Sequence, residues 1–472
     1  MIRITPPGED FTAPERYGLD TLLDLSGVLR VEDSSASVVT LVFTPELCPL
    51  DAVAGGRVVP ERGDGEVRLP RAVLSHVLGI AGAGAEQATR AADRHDRVPA
   101  GENPVVRAGA ERRPVLSELG RALREGVRAV AGRRPVRCLM PWPGGRRWAA
   151  ALSHDVDVVS GWPAFTVLRL LELTRAGEIR RAGRVLGAAA GALGGSPVWQ
   201  GVSEVLRMEA ERGVHSTWFF LCGTPTLGRW RAGDVTYAIE GRPARRLIAA
   251  VRDAGHELGV HGTFATTVEG GAFGQERARL AAVTGLPVAP GIRQHFLKMR
   301  PGVTQRRMRR SGFTYDATYG FSDRNGFRLG VADVVAGWDA EAGALSGLDE
   351  VPLHWMDRAQ SKYQGIEDPR VWVADALELA GRCRDVGGLW VGLWHPNLTD
   401  ALGFPGAPAA YEELLSRIVG AGDPPAVDTL ERFVSWRRRR RAARANRVGP
   451  DGAVEWIGAP VPLEDGAGRA VA

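Results

Sequence analysis

From Trp148 to Trp394 the chain alternates short apolar runs with stretches of helical periodicity, and this alternation constrains the fold more than any other feature. Runs of strand length occur at Ala149–Asp155, Ser216–Leu221, Glu257–Val260, Val288–Arg293, Phe313–Asp316, Leu348–Leu353 and Leu389–Trp394. Helix-like segments lie between them at Val202–Arg212, Ala244–Ala254, Gly274–Val283, Val303–Ser311 and Val371–Cys383. Such repetition predicts an α/β architecture with a parallel sheet, and about seven strands fit a (β/α) barrel, closed or incomplete. Residues 1–145 read as a separate α/β region. They hold short apolar runs (Ser37–Phe43, Val67–Leu78), an amphipathic helix over Leu116–Ala131, and a Pro- and Gly-rich boundary at Pro141–Gly145. At 472 residues the chain suits about two or three domains. The expected division is an N-terminal region 1–145, a barrel 146–400, a helical segment 401–447 and a flexible tail 448–472.

In barrels of this kind chemistry sits at the carboxyl ends of the strands. The first run ends in Ser153-His154-Asp155-Val156-Asp157. Side chains alternate along a strand, so Asp155 and Asp157 face the same way. Two adjacent carboxylates at the end of a buried strand repel each other and lose solvation. They persist most easily with a cation between them; the other reading is a turn in which one Asp caps the next helix. Later runs end in or run into His261, Arg293 and His295, His354, and His395. With His154, five of the nine histidines fall at strand ends, whereas His215 and His256 read as satisfied or exposed. Each such histidine alone has a bland reading. Together with two aspartates they outline a site. Residues 1–145 offer no comparable constellation.

Composition places limits around this site. Hydrophobic content of 44% and charged content of 24% are those of a soluble globular protein. The polar start, with Glu9, Asp10 and Glu15, reads as no signal peptide, and the small-apolar stretch Val185–Gly195 is too short to span a bilayer. Cys48, Cys138, Cys222 and Cys383 lack paired spacing, which points to a reduced cytoplasm. The net charge of +5 is unevenly spread, with five consecutive arginines at Arg437–Arg441, then Arg444 and Arg447. The run reads as a solvated helix end, or else as a peripheral contact with the anionic inner face of a membrane. No aromatic-interleaved basic surface accompanies it, so nucleic acid is not expected.

Over roughly Ala150 to Leu398 the motifs resemble the polysaccharide deacetylases, carbohydrate esterases of family four. The resemblance rests on Leu152-Ser-His-Asp-Val-Asp157, Ser216-Thr-Trp-Phe-Phe220, Gly255-His-Glu-Leu-Gly-Val-His261, Arg293-Gln-His-Phe296 and Leu393-Trp-His-Pro396. It is nearer still to a divergent branch with His-Asp-Val-Asp in the first motif. It implies a distorted (β/α) barrel. By position Asp155 takes the family's catalytic base and Asp157 a metal ligand, although the two roles could be exchanged. His261 matches the first histidine of a His-Ser/Thr-x-x-His motif, but Ala265 stands where the second belongs. Two ligands hold a divalent ion poorly. His295, which stands where the family has a proline, is the candidate replacement, giving an Asp157, His261, His295 site; it could instead bind substrate or merely pack.

Arg293 would orient the catalytic carboxylate and His395 would act as general acid. Trp394, Phe296 and Asp316 are the candidates for substrate contact, with Asp316 also placed to pair with Arg293. Gly326-Phe327-Arg328 would shape the floor of the site. Trp218, Trp355 and Trp390 fit a core better than a sugar platform. The reaction implied is hydrolysis of an N-acetyl amide on a sugar or glycan intermediate, with Zn²⁺, or else Co²⁺, Ni²⁺ or Fe²⁺, as cofactor. The alternatives are a non-catalytic glycan-binding or assembly relative with a degenerate metal site, and a deacylase of a non-sugar amide.

Overall fold

The computed structural model describes residues 2–5, 10–30, 39–134, 136–159, 162–191, 196–287, 290–448, 453–464 and 470–471. Four short strands open the chain: β1 (Ile2–Thr5), β2 (Val39–Thr44), β3 (Glu61–Arg62) and β4 (Glu66–Pro70). They form a sheet in the order β1-β2-β4-β3, parallel except for β3. Helices Ala13–Ser26, Ala72–Ala81 and Val115–Ala131 pack with this sheet. The first of them starts at a capping box, in which Thr12 and Glu15 satisfy each other's backbone N–H groups, and it ends at Gly27 with φ 70°. The apolar run Val67–Leu78 is divided: Pro70 closes a strand and a helix follows from Ala72. Residues 37 and 38 of the run expected at Ser37–Phe43 lie outside the described residues.

After β5 (Cys138–Leu139) comes the main sheet: β6 (Ala149–Val156), β7 (Thr217–Leu221), β8 (Glu257–Gly262), β9 (Gly291–Gln294), β10 (Tyr315–Asp316), β11 (Val335–Asp339), β12 (Ala344–Glu350), β13 (Trp355–Met356), β14 (Leu389–Leu393) and β15 (Ala426–Val427). Its order is β11-β12-β10-β9-β8-β7-β6-β14-β13, with β15 beside the start of β6. Every pairing is parallel except β11 with β12. The sheet curls as a partial barrel with helices outside it, and among the described residues no pairing joins β13 to β12. The sheet thus has ten strands rather than about seven. Three short or irregular ones, β11, β13 and β15, had no periodic signature, and the run expected at Leu348–Leu353 is displaced to β12. Residues 288 and 289 of the expected Val288–Arg293 strand are outside the described set, as are 192–195 of the Val185–Gly195 stretch.

The tail departs from the expected flexible segment. β16 (Arg444–Val448) pairs antiparallel with β17 (Val454–Ile457), and β18 (Leu463–Glu464) pairs with β19 (Ala470–Val471) and with β5. Tail and N-terminal region are therefore joined by a shared sheet.

The arginine run also departs from expectation. It lies in the helix Leu430–Ala442, and Arg437 and Arg440 are 1% and 3% exposed. Arg437 meets Asp333 at 2.7 Å and Asp24 at 3.2 Å, while Arg440 meets Asp24 at 2.8 Å. Arg438 and Arg441 both pair with Asp349. These four charges join the N-terminal region, the sheet and the last helix, so most of the run is consumed in ion pairs rather than left as a solvated helix end, and nothing in the structure supports a membrane contact. Burial of arginine is tolerable only with such partners. Among the described residues no helix is long and apolar enough to cross a membrane. Arg328, expected near the floor of the site, instead forms a buried pair with Glu86 at 2.6 Å and holds the N-terminal region to the barrel.

Candidate active site

β6 places the first two carboxylates. Asp155 is its penultimate residue, and Asp157 follows one residue beyond its end, on the same side. Beyond β7 in the same sheet, β8 and β9 carry His261 and Arg293, which sit directly across from each other in the ladder. His295 comes next, and then the chain turns sharply: Phe296 and Leu297 adopt left-handed backbone, with φ of 56° and 53°. Such conformations cost about 1–3 kcal/mol each in non-glycine residues and gather at functional sites. The turn sets His295 and Phe296 on the wall of a cavity of about 80 Å³ that Asp155, Asp157, His261 and His395 also line.

At the centre is Asp157. Its Oδ1 is buried with no hydrogen-bond partner, and it faces His261 Nε2 at 3.5 Å and His295 Nε2 at 3.6 Å. Metal–ligand distances of about 2.0–2.2 Å in a tetrahedral zinc site put ligand atoms about 3.3–3.6 Å apart. The spacing from Asp157 to both imidazoles therefore fits a shared ion, and one ligand atom from each of the three residues lies within 4.8 Å of the others. Backbone carbonyls fix the ring orientations. His261 Nδ1 lies 2.9 Å from the Arg293 oxygen and His295 Nδ1 lies 3.0 Å from the Asp234 oxygen. A carbonyl only accepts, so Nδ1 carries the hydrogen, and in its neutral form each ring turns the Nε2 lone pair inward. Three protein ligands with an open side facing a cavity are what a catalytic zinc-type site requires. Ala265, in the short helix after β8, supplies no ligand; the histidine from the next strand stands in the cluster instead.

Two supported side chains flank this cluster. Arg293, fully buried, donates from Nη1 to Asp155 Oδ1 at 3.0 Å and from Nε to the Ala317 carbonyl at 3.0 Å, with its guanidinium 4.6 Å from the Phe219 ring centre. Asp155 Oδ2 is left facing His261 at 3.5 Å. His395 follows β14. Asp357 holds its Nδ1 and its backbone N–H, both at 2.6 Å, so its Nε2 points inward, 3.7 Å from Asp157 Oδ2. Burial by itself would raise both carboxyls, but the surrounding histidines and, for Asp155, Arg293 outweigh it and keep both below the usual carboxylate range. Burial would likewise lower His395, yet Asp357, Asp157 and Asp155 raise it above an ordinary imidazole.

The other expected site residues lie elsewhere. Trp394 does not line the cavity. It is 2% exposed in the core, its ring 5.1 Å from Tyr411 and 6.0 Å from Trp355, because consecutive residues at a strand end point to opposite sides and His395 takes the cavity side. Asp316 is fully buried and does not pair with Arg293 through a hydrogen bond. It accepts from the Thr318 N–H at 2.9 Å and from Gln305 at 3.1 Å, and burial pushes its carboxyl up to about 6. Phe296 does line the cavity. Two of the strand-end histidines are structural. His154 bonds the Trp394 carbonyl and Glu209 in the core. His354 is held between Val331 O and Val391 N–H, and burial lowers it to about 3.

Sequence reasoning missed Asp357, Asp234, Arg358 and Lys362. Asp357 lies 38 residues from His395, so only the fold shows the pairing. It also missed the N-terminal contribution: Arg97 donates to the Phe296 carbonyl at 2.8 Å, and the His95 ring stacks on Phe296 at 5.2 Å. A larger cleft of about 960 Å³ opens beside Tyr17, Trp338 and the arginine helix, but it contains none of the carboxylate–histidine cluster.

No family model matches this sequence, and no curated protein matches it. Solved structures do. A putative polysaccharide deacetylase from Mycobacterium smegmatis is similar at 23% identity, with a TM-score of 0.41 over 64% of this chain and 92% of that one. A probable polysaccharide deacetylase from Pseudomonas aeruginosa PAO1 is similar at 15% identity and 0.40, over 64% and 93%. The Puue allantoinase is similar at 14% identity and 0.41, also over 64% and 93%. Polysaccharide deacetylases, the family that the motifs resemble, are thus among the structures this chain resembles in path. Likenesses this distant assign no residue a role, and function is read from the site.

Proposed function

We propose that the chain is a metal-dependent hydrolase that removes an N-acetyl group from a sugar or glycan intermediate. The observation that carries this reading is the orphaned Asp157 Oδ1, held between two inward-facing imidazole nitrogens at 3.5 and 3.6 Å. Asp157, His261 and His295 would hold the ion, and Zn²⁺ suits one carboxylate and two imidazoles, with Co²⁺, Ni²⁺ and Fe²⁺ as competitors. When bound, a divalent ion supplies Lewis acidity toward water and the acyl oxygen at this point.

The chain's own groups divide the proton transfers. Asp155, pinned through Oδ1 by Arg293, offers Oδ2 to take a proton from the attacking water. The water oxygen bonds to the acyl carbon, and the C–N bond then breaks. His395, oriented by Asp357 and held protonated more readily than a free imidazole, delivers a proton from Nε2 to the leaving nitrogen, giving acetate and an amine. The geometry favours Asp155 as base over Asp157, since Asp157 alone faces both imidazoles. The cytoplasm is proposed as the compartment, in keeping with four free, buried cysteines.

Metal content after purification without chelators, measured on wild type and His295→Ala, tests the reading together with acetate release from N-acetylglucosamine oligomers. One ion per chain, lost in the variant along with hydrolysis, is expected. A folded but metal-free wild type would instead favour a glycan-binding relative.

A further inference from the structure

Beyond the metal cluster, the cavity has a wall that the hydrolysis does not use. The turn after β13 is a π-helix, Ala359–Tyr363, a rare conformation that recurs at functional sites. Arg358 caps its start and Lys362 lies four residues on. At the wide pitch of a π-helix these two positions share a face, and both side chains line the cavity. Neither has a carboxylate or a hydrogen-bond partner among the described residues. Their contacts are with rings: Arg358 is 5.1 Å from the Phe404 centre, and Lys362 is 4.7 Å from that of Phe296. The contrast is with the buried arginines, since Arg293, Arg328, Arg437 and Arg440 are all consumed by aspartate or glutamate. The nearest carboxylates, Asp157 and Asp357, attract these cations from a distance, but no close ion pair joins them: Asp157 faces the imidazoles and Asp357 holds His395.

Volume separates what enters from what stays at the mouth. The cavity is small, about 80 Å³, and open on one side, so an acyl amide seated at the cluster leaves its sugar toward the mouth. The remainder of the substrate must therefore lie at the rim, where Lys362 is exposed and Arg358 half-buried. Two unpaired cations there are left for the substrate to neutralise.

We propose that the substrate carries an anionic group, a phosphate or carboxylate, close to its acylated nitrogen, and that Arg358 and Lys362 receive it. This inference rests on the hydrolase reading for the identity of the acyl end, but not for the charge preference. Phosphate suits the pair well, since a guanidinium offers a fork of donors and an ammonium a point charge.

The test is calorimetric titration of metal-loaded wild type with N-acetylglucosamine, its 1- and 6-phosphates and N-acetylmuramic acid, the last as the carboxylate arm. At least one anionic sugar should bind about tenfold or more tighter than the neutral one, and that preference should shrink with added salt. In Arg358→Gln/Lys362→Ala the ratio should fall to near one; Lys362→Glu, an exposed change that should not disturb folding, should by itself remove most of it. A wild-type ratio near one, a ratio unchanged in both variants, or no binding of any sugar overturns the proposal. Retained anion preference without hydrolysis of any of the four strikes the hydrolase reading and leaves this one standing. The arm that gains most tells phosphate from carboxylate.

Discussion

Two carboxylate–histidine clusters flank β6, and they have opposite fates. On one side Glu209 is saturated. Its Oε1 accepts from Tyr411 at 2.6 Å and lies 3.0 Å from His154 Nε2, while its Oε2 accepts from Ser216 at 2.8 Å. Every group in this network spends its polarity on a neighbour. On the other side Asp157 leaves Oδ1 unpartnered at a cavity wall. His154 and Asp155 are consecutive residues, so a single peptide unit separates a structural histidine from a carboxylate of the candidate site. Composition alone does not distinguish the two clusters. What does is whether hydrogen-bonding capacity is exhausted or left over, since a buried polar atom without a partner costs about 1–3 kcal/mol and persists where something else pays for it.

The comparison can be broken most sharply at Asp157. Asp157→Ala should abolish metal retention and lower kcat/KM on an N-acetyl sugar by about 10³-fold or more, about 4 kcal/mol of barrier. Elemental analysis beside acetate release checks this, and near-wild-type values for both would remove the metal from the account. The mirror experiment is Glu209→Ala. Stranding His154 and Tyr411 in the core should cost about 3–5 kcal/mol of stability in urea unfolding. A loss under about 1 kcal/mol would show that the network is not the structural counterpart drawn here.

A smaller effect is expected at Asp357, which acts only through His395. Asp357→Asn should slow kcat by about ten- to a hundredfold while metal content stays unchanged, because the imidazole loses its orientation and part of its basicity. Parallel loss of metal would place Asp357 in the ligand shell instead.

The smallest effect contrasts the two ends of β8. His261 sits at its functional end, while Glu257 at the other end accepts from Tyr315, Thr217 and the Glu431 N–H. Burial dominates there and pushes the Glu257 carboxyl up to about 7. The folded state then holds a proton that the unfolded chain, near the ordinary value of about 4.5, has released. Stability from this group is complete below about pH 4.5 and is lost as pH rises toward 7. Glu257→Gln should flatten that slope in melting curves between pH 4.5 and 7. An unchanged slope would assign the dependence to another group.

The strands that carry chemistry were legible because each is a buried run ending in a polar residue. β6 through β9 and β14 fall within a few residues of their expected places. The two-residue strands β13 and β15 were not legible, since they are too short for a period and exist only through their neighbours in the ladder. Among site residues, Asp155, Asp157, His261, His295 and His395 could be picked from strand-end position and motif. The same rule also picked His154 and His354, because position along a strand does not say which face a residue takes once the strand ends. The arginine run is the largest misreading. Five adjacent cations look solvated until Asp24, Asp333 and Asp349, from three distant parts of the chain, arrive beside four of them.

Local pattern alone therefore settled the class of fold and the inventory of chemically able groups, because both depend on periodicity over a few residues. The tertiary structure decided which groups meet. Asp157 faces His261 and His295 only because β6, β8 and β9 end at one rim; Asp357 reaches His395 across 38 residues; and Arg358 and Lys362 line the same cavity with no close ion pair among the described residues. Pairing is a property of three-dimensional neighbours, and it is pairing that separates the charges that hold this protein together from those left free to act.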